Sequence, residues 1–246
     1  MNFKYLKYLD DKFLNNAIYK FYKKFYLNYK IQKTQTVSMT TINNLDKYKF
    51  LEYWNMHFSH IMKNSLKGDI VECGVGNGFH LSFLLFNMIT KEKLSDKKYY
   101  GFDSFEGFPM PSKEDSSIRK SKKGDWDHTD ENYVKNNLKK IGFKNEDFTK
   151  INFIKGYFNE TLNLQKNRID NICLLHLDCD LYQSYKDSLE FLYPKVVRNG
   201  IIAFDEYVNE EWAFPGAVKA INEFFGENVK KIQKCSLTGK SYLIKK

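Results

Sequence analysis

From Gly68 onward the chain alternates short apolar runs with stretches whose apolar residues recur at helical spacing. The runs are DIVECG (69–74), KYYGFD (98–103), INFIKG (151–156), ICLLHLD (172–178) and GIIAFDE (200–206), followed by VKKIQKCS and KSYLIKK near the end. Helical patterns fill most of the intervals, over 80–89, 131–141, 185–197 and 217–225. Buried strands alternating with helices predict an α/β fold with a mostly parallel sheet. Only Leu237, Thr238 and Gly239 separate the last two runs, a gap that predicts an antiparallel hairpin at one edge.

Before Gly68 the pattern differs. Over 10–29, Phe13, Ala17, Phe21, Phe25 and Tyr29 recur at helical spacing with Lys20, Lys23 and Lys24 between them, the mark of a basic amphipathic helix. Residues 1–33 are therefore read as a helical extension that packs on the body or on a second copy, with membrane-surface contact as the alternative. A polar, Thr-rich linker over 34–44 leads to a helix over 46–66 with Asp46 as its N-cap. The catalytic domain is placed at 34–246. Within it, the Pro- and Ser-bearing stretch around 108–129 is too long for a simple connection and reads as a lid.

Charge refines this division. The net charge is +9, yet residues 1–50 hold +7 and residues 230–246 hold +6, leaving −4 for the interior. An enzyme working on nucleic acid lines its groove with cations, because phosphate neutralisation dominates affinity. An acidic interior argues against nucleic acid as substrate. The mean hydropathy of −0.57 and the absence of a long apolar run argue against a membrane-spanning chain. Four scattered cysteines without a C-x-x-C pair, and no apolar leader pattern at the N-terminus, point to reduced thiols and a cytoplasmic protein.

Three groups of residues carry chemistry. VECGVGNG places Glu72, Gly74, Gly76 and Gly78 at a strand-to-helix turn, where glycines let the backbone approach a ligand and amides gather near a helix N-terminus. Its E-x-G-x-G-x-G spacing differs from the dinucleotide G-x-G-x-x-G and suits S-adenosylmethionine (SAM). Asp103, closing the next strand, is where a ribose-binding carboxylate belongs, and Ser104 follows it with a hydroxyl suited to ribose or a backbone cap. Tyr157 and Phe158 are candidates to cover the adenine ring, with hydrophobic core as the competing role. LLHLDCDLY and AFDEY then bring Asp178, Asp180, Asp205 and Glu206 to the C-terminal ends of two strands. Four acids at one crevice mouth repel unless a cation balances them, and a hard divalent ion such as Mg²⁺ does so through oxygen ligands. His176 reads as an interior histidine; His128 and Trp126 lie in the lid, the latter on its acceptor side.

Together, VECGVGNG, YYGFDSFEGFP, INFIKGYFNETL, LDCDLYQSYKDSLEFLYPKVVRNG and FDEY followed by PGAVKAINEFF resemble the macrocin O-methyltransferase family, from about Thr36 to the C-terminus. The resemblance implies a three-layer class I methyltransferase with a Rossmann-like sheet. It further implies SAM-dependent, metal-dependent methylation of a sugar hydroxyl, on a nucleotide sugar, a polysaccharide unit or a glycosylated product. By motif position, Asp178, Asp205 and Glu206 correspond to metal ligands, Asp180 to a general base, and Met39 and Thr40 to a short segment near the methionine end of SAM. Many relatives carry two aspartates where this chain has Asp205-Glu206. Homo-oligomerisation is also expected. Two alternatives remain: a metal-dependent glycosyltransferase using Asp178 and Asp180, and a non-catalytic scaffold on the same fold.

Overall fold

A computed structural model describes residues 37–164, 168–208 and 214–246, with side chains from Lys47 onward. The expected extension over 1–33 lies outside the described residues. Helix α1 spans Val37–Lys63 and buries Leu51, Trp54, Phe58 and Ile61, a three-four-three spacing that puts one stripe against the body. Its start corrects the expected boundary: Asp46 lies inside the helix and does not cap it. Nothing between Val37 and Asp46 is Gly or Pro, and the Thr and Asn residues there disfavour helix by only about 0.5 kcal/mol each.

The remaining elements alternate as the pattern predicts: β1 (Asp69–Cys73), α2 (Phe79–Thr90), β2 (Tyr99–Asp103), α3 (Glu131–Lys140), β3 (Ile151–Lys155), α4 (Phe158–Leu164), β4 (Ile172–Leu177), α5 (Tyr182–Leu192), β5 (Val196–Phe204), α6 (Pro215–Phe225), β6 (Gln233–Lys234) and β7 (Ser241–Ile244). Helix α5 ends at Leu192 and passes into a 3₁₀ turn over Tyr193–Lys195, because Pro194 has no N–H to continue the helical ladder. Helix α4 is too short to be legible in the pattern.

The sheet runs β3-β2-β1-β4-β5-β7-β6. Strands β1 to β5 are parallel, and β7 lies antiparallel between β5 and β6. Successive residues point to opposite faces, so Ile70, Leu174 and Ile201 join one apolar cluster with Trp54, Phe58 and Leu84, while Val71, Leu175 and Ile202 join another with Tyr185, Leu189 and Ile221. All six residues of β4 are buried, which is why that run reads as continuously apolar. The strand order reverses between β1 and β4, so a crevice opens at their C-terminal ends.

The lid is tied at its neck. Phe108 N–H donates to the Asp125 carbonyl at 2.9 Å, and Gly124 N–H donates to the Phe108 carbonyl at 3.0 Å. Its middle is latched to the body by buried Asp115. Oδ1 of that residue accepts from the Tyr182 backbone N–H at 2.7 Å, and Oδ2 accepts from the N–H and the hydroxyl of Ser112, both at 2.8 Å. Tyr182 opens α5, whose own N-cap, Leu181, has no polar side chain. A lid carboxylate therefore does the capping that the local sequence does not.

Candidate active site

A cleft of about 580 Å³ lies over the reversal point. At one end is the turn after β1. Gly74 has φ +89, and a Cβ there would sit 1.7 Å from the Asp178 carbonyl oxygen, so only glycine lets β1 and β4 end side by side. Gly78 packs against Val134 and does not line this cleft. A Cβ at Gly76 would meet no atom within 4 Å, and the residue lines the open space, which leaves room for a ligand against the backbone.

Asp103 holds this turn in place. Its Oδ2 accepts from the N–H groups of Val75 at 2.8 Å and Gly76 at 2.9 Å, and its Oδ1 from Phe105 N–H at 2.8 Å. Ser104 closes the following turn by donating to the Gly107 carbonyl at 2.8 Å. Both line the cleft, as do Tyr157, Phe158, His128 and Trp126. Glu72 does not. It is buried beneath the turn, where it accepts from Tyr99 and meets His176 Nδ1 at 2.9 Å. Burial raises its pKa to about 7 and lowers that of His176 to about 4. Glu72 thus supports the turn from inside the core and does not line the cleft. Met39 and Thr40 fall in α1, where side chains are not described.

At the other end are the carboxylates. Asp178 and Asp180 line the cleft; Asp205 and Glu206 stand behind them. Asp178, Asp180 and Glu206 each offer an oxygen, all within 4.8 Å of one another. Asp180 has φ +60, a left-handed conformation that costs a non-glycine residue about 1 kcal/mol or more. Tyr185, buried in α5, lies with its hydroxyl between the Leu177 carbonyl, at 2.8 Å, and the Glu206 carboxylate.

Electrostatics separates the four acids. Burial, with the neighbouring charges of Asp205 and Glu206, pushes Asp178 well above the usual carboxylate range. Burial and Asp178 do the same to Asp180, and burial and Asp180 to Glu206. Asp205 goes the other way: burial pushes it up, but a hydrogen bond from His80 and the Lys240 ammonium outweigh this and hold it low. Lys240 Nζ lies 2.6 Å and His80 Nε2 lies 3.4 Å from Asp205 Oδ1. Trp54 Nε1 donates to His80 Nδ1 at 3.3 Å, so the neutral ring carries its proton on Nε2, facing Asp205. Both contacts fall on Oδ1 and leave Oδ2 for another partner. No sequence motif singles out His80, Lys240 or Asp115, because each meets its partner across a long stretch of chain.

Three crowded carboxylates with raised affinity for protons have a matching affinity for a cation. Their donors are all hard oxygens, which suits an ion of the Mg²⁺ class. The residues present fit such a group.

The fold is that of the class I methyltransferases. The structure superposes on that of the calicheamicin methyltransferase CalS11 with a TM-score of 0.68 at 23% identity, over 90% of this chain and 91% of that one. It superposes on that of the O-methyltransferase NovP with a TM-score of 0.65 at 24% identity, over 80% and 79%. The model of the Macrocin-O-methyltransferase (TylF) family matches residues 31–235, and the chain belongs to that family. Demethyldecarbamoylnovobiocin O-methyltransferase of Streptomyces niveus is 28% identical over 164 residues, 65% of this chain and 60% of the relative. The 8-demethyl-8-(2,3-dimethoxy-alpha-L-rhamnosyl)-tetracenomycin-C 4'-O-methyltransferase of Streptomyces olivaceus is 25% identical over 151 residues, 60% of this chain and 56% of the relative. The matched stretches thus span less than two thirds of either curated relative.

Proposed function

We propose that the chain transfers a methyl group from SAM to a hydroxyl of a sugar-containing acceptor, with a divalent cation held by the carboxylate cluster. The observation that carries this reading is the meeting, in one cleft, of a glycine turn open at Gly76 with the carboxylates Asp178 and Asp180. Family membership supports it, and so does the name of the Streptomyces olivaceus relative, which specifies O-methylation of a rhamnosyl compound.

When bound, SAM supplies an activated methyl and the cation lowers the pKa of an acceptor hydroxyl. Asp178 and Glu206 would hold the cation, with Asp205, which has an oxygen within 4.8 Å of one on Asp178, as a further ligand. His80 and Lys240 keep Asp205 ionised for that role. Asp180 faces the cleft beside them and accepts the hydroxyl proton as the new O–C bond forms and the sulfonium C–S bond breaks. The backbone around Gly76, fixed by Asp103, seats the cofactor; Tyr157 and Phe158 flank the adenine side. The basic segment 1–33 serves self-association or docking on a surface.

The test is transfer of labelled methyl from SAM to a panel of nucleotide sugars and glycan extracts, with and without EDTA. Chelation is expected to abolish turnover, Mg²⁺ to restore it, and binding of S-adenosylhomocysteine (SAH) to persist throughout. Turnover that survives exhaustive chelation removes the cation from the mechanism. Sugar-nucleotide hydrolysis without SAH binding favours the glycosyltransferase alternative.

A further inference from the structure

The lid holds a cation that the methyl transfer leaves unused. The guanidinium carbon of Arg119 lies 5.6 Å from the ring centroid of Phe108, 5.3 Å from that of Trp126 and 5.1 Å from that of Phe214. Phe108 and Trp126 stack with centroids 6.5 Å apart and planes at 17°, and both line the cleft. Three aromatic faces attract a cation but offer it no ordinary hydrogen-bond acceptor. The Nε of Arg119 is buried with no hydrogen-bond partner among the described residues. The cage therefore holds a planar, donor-only guanidinium fork and offers it no acceptor of its own.

Where the fork sits narrows the choice of acceptor. Phe108 and Trp126, over which it lies, line the same cleft as Asp178 and Asp180, so the fork stands behind the cleft wall, where its charge also acts on Asp180. Residues 117–124 carry Arg119, Lys120, Lys122 and Lys123 and no acid, in a chain whose interior is otherwise negative. A guanidinium fork pairs two-to-two with phosphate or carboxylate oxygens, and the neighbouring lysines favour a multiply charged group. In a sugar phosphate, one ring separates a free hydroxyl from the phosphate on its anomeric carbon. A carboxylate-lined pole and a cationic pole in electrostatic contact match those two ends.

We propose that Arg119 binds an oxyanion of the ligand, and that this oxyanion is the diphosphate of a nucleoside-diphosphate sugar serving as the acceptor. The proposal rests on the methyl-transfer reading for the identity of the acceptor, although the anion site itself does not. The other source of an oxyanion in this cleft is the carboxylate of SAM, and the experiment separates the two.

Calorimetric titrations of UDP, dTDP and SAH into wild type, Arg119→Lys and Arg119→Gln provide the test, each nucleotide with and without SAH and with and without Mg²⁺. The nucleoside diphosphates are expected to bind wild type, about tenfold or more weakly to Arg119→Gln, and at an intermediate level to Arg119→Lys. SAH affinity is expected to be equal in all three, which also certifies the variants as folded. Equal nucleotide affinity across the three proteins overturns the proposal, as does failure of both nucleotides to bind wild type. Weakened SAH binding with unchanged nucleotide binding assigns Arg119 to the cofactor and overturns it too. If wild type fails to bind SAH, the methyl-transfer reading falls, while the titrations without SAH still report on Arg119.

Discussion

At the glycine end of the cleft, what a ligand meets is backbone: the turn after β1, kept open at Gly76 and braced by the Asp103 carboxylate. At the carboxylate end it meets side chains whose charges are expensive to bury and whose positions depend on residues far away in sequence. The first end is shaped by sterics and tolerates little change of size. The second is shaped by charge and tolerates little change of protonation. Gly74 joins them, since its missing side chain is what lets the turn lie against Asp178.

The largest expected effect tests the charged end alone. Asp180→Asn keeps shape and removes the base, so kcat for methyl transfer is expected to fall about 10²- to 10⁴-fold while SAH affinity, measured by calorimetry, stays within about twofold. A parallel loss of SAH binding would mean that the two ends are not separable. Gly74→Ala tests their junction. With a Cβ driven into the Asp178 carbonyl at φ +89, we expect destabilisation of about 3 kcal/mol or more in urea unfolding. Gly76→Ala, at φ +52 with open space around it, is expected to cost about 1 kcal/mol but to weaken SAH binding.

A smaller effect concerns the lid. Asp115→Ala removes the acceptor for the Tyr182 and Ser112 N–H groups and is expected to cost about 1 to 2 kcal/mol of stability. Because α5 begins two residues after Asp180, kcat is also expected to fall, with SAH affinity preserved and partial rescue by Asp115→Asn. An Asp115→Ala enzyme with unchanged kcat would reduce the latch to a purely structural role.

The smallest effect is on pH dependence. Burial lowers the pKa of His57 to about 3 and that of His176 to about 4. The unfolded chain then binds protons that the folded chain refuses, so the stability these groups contribute above pH 6.5 is lost as pH falls from there toward their folded values. Glu72, raised to about 7, acts in the opposite sense: its contribution is complete below the unfolded value and declines as pH rises through 7. Asp178, Asp180 and Glu206, raised in the same way, add to the effect of Glu72, while His57 and His176 oppose it. His57→Phe removes one of the two opposing contributions, so its Tm is expected to gain on that of wild type on going from pH 7 to pH 5. An unchanged slope in the variant would place the acid sensitivity elsewhere.

Much of this is legible in one dimension. The apolar runs become β1 to β5 and the closing hairpin within a few residues, because a strand buried on both faces leaves a run that no other context needs. The glycine turn and the two acidic strand ends are visible because parallel strands deliver their C-terminal residues to one edge. Less visible is how those residues divide. Glu72 reads as a cofactor contact, yet period-two alternation turns it into the core against Tyr99 and His176. Asp205 reads as a plain ligand, yet Lys240 from the hairpin turn and His80 from α2 share its Oδ1.

The sequence by itself determined the order of elements, the family and the set of acids, since each depends on local pattern or on short motifs. Only the tertiary structure decided which acids face the cleft, which one keeps its charge, and that a lid residue caps the helix behind Asp180. The physical reason is that burial and Coulomb energy depend on distance in space. The groups that decide them here, Asp115, Arg119 and Lys240, come from loops and turns whose positions no periodicity records.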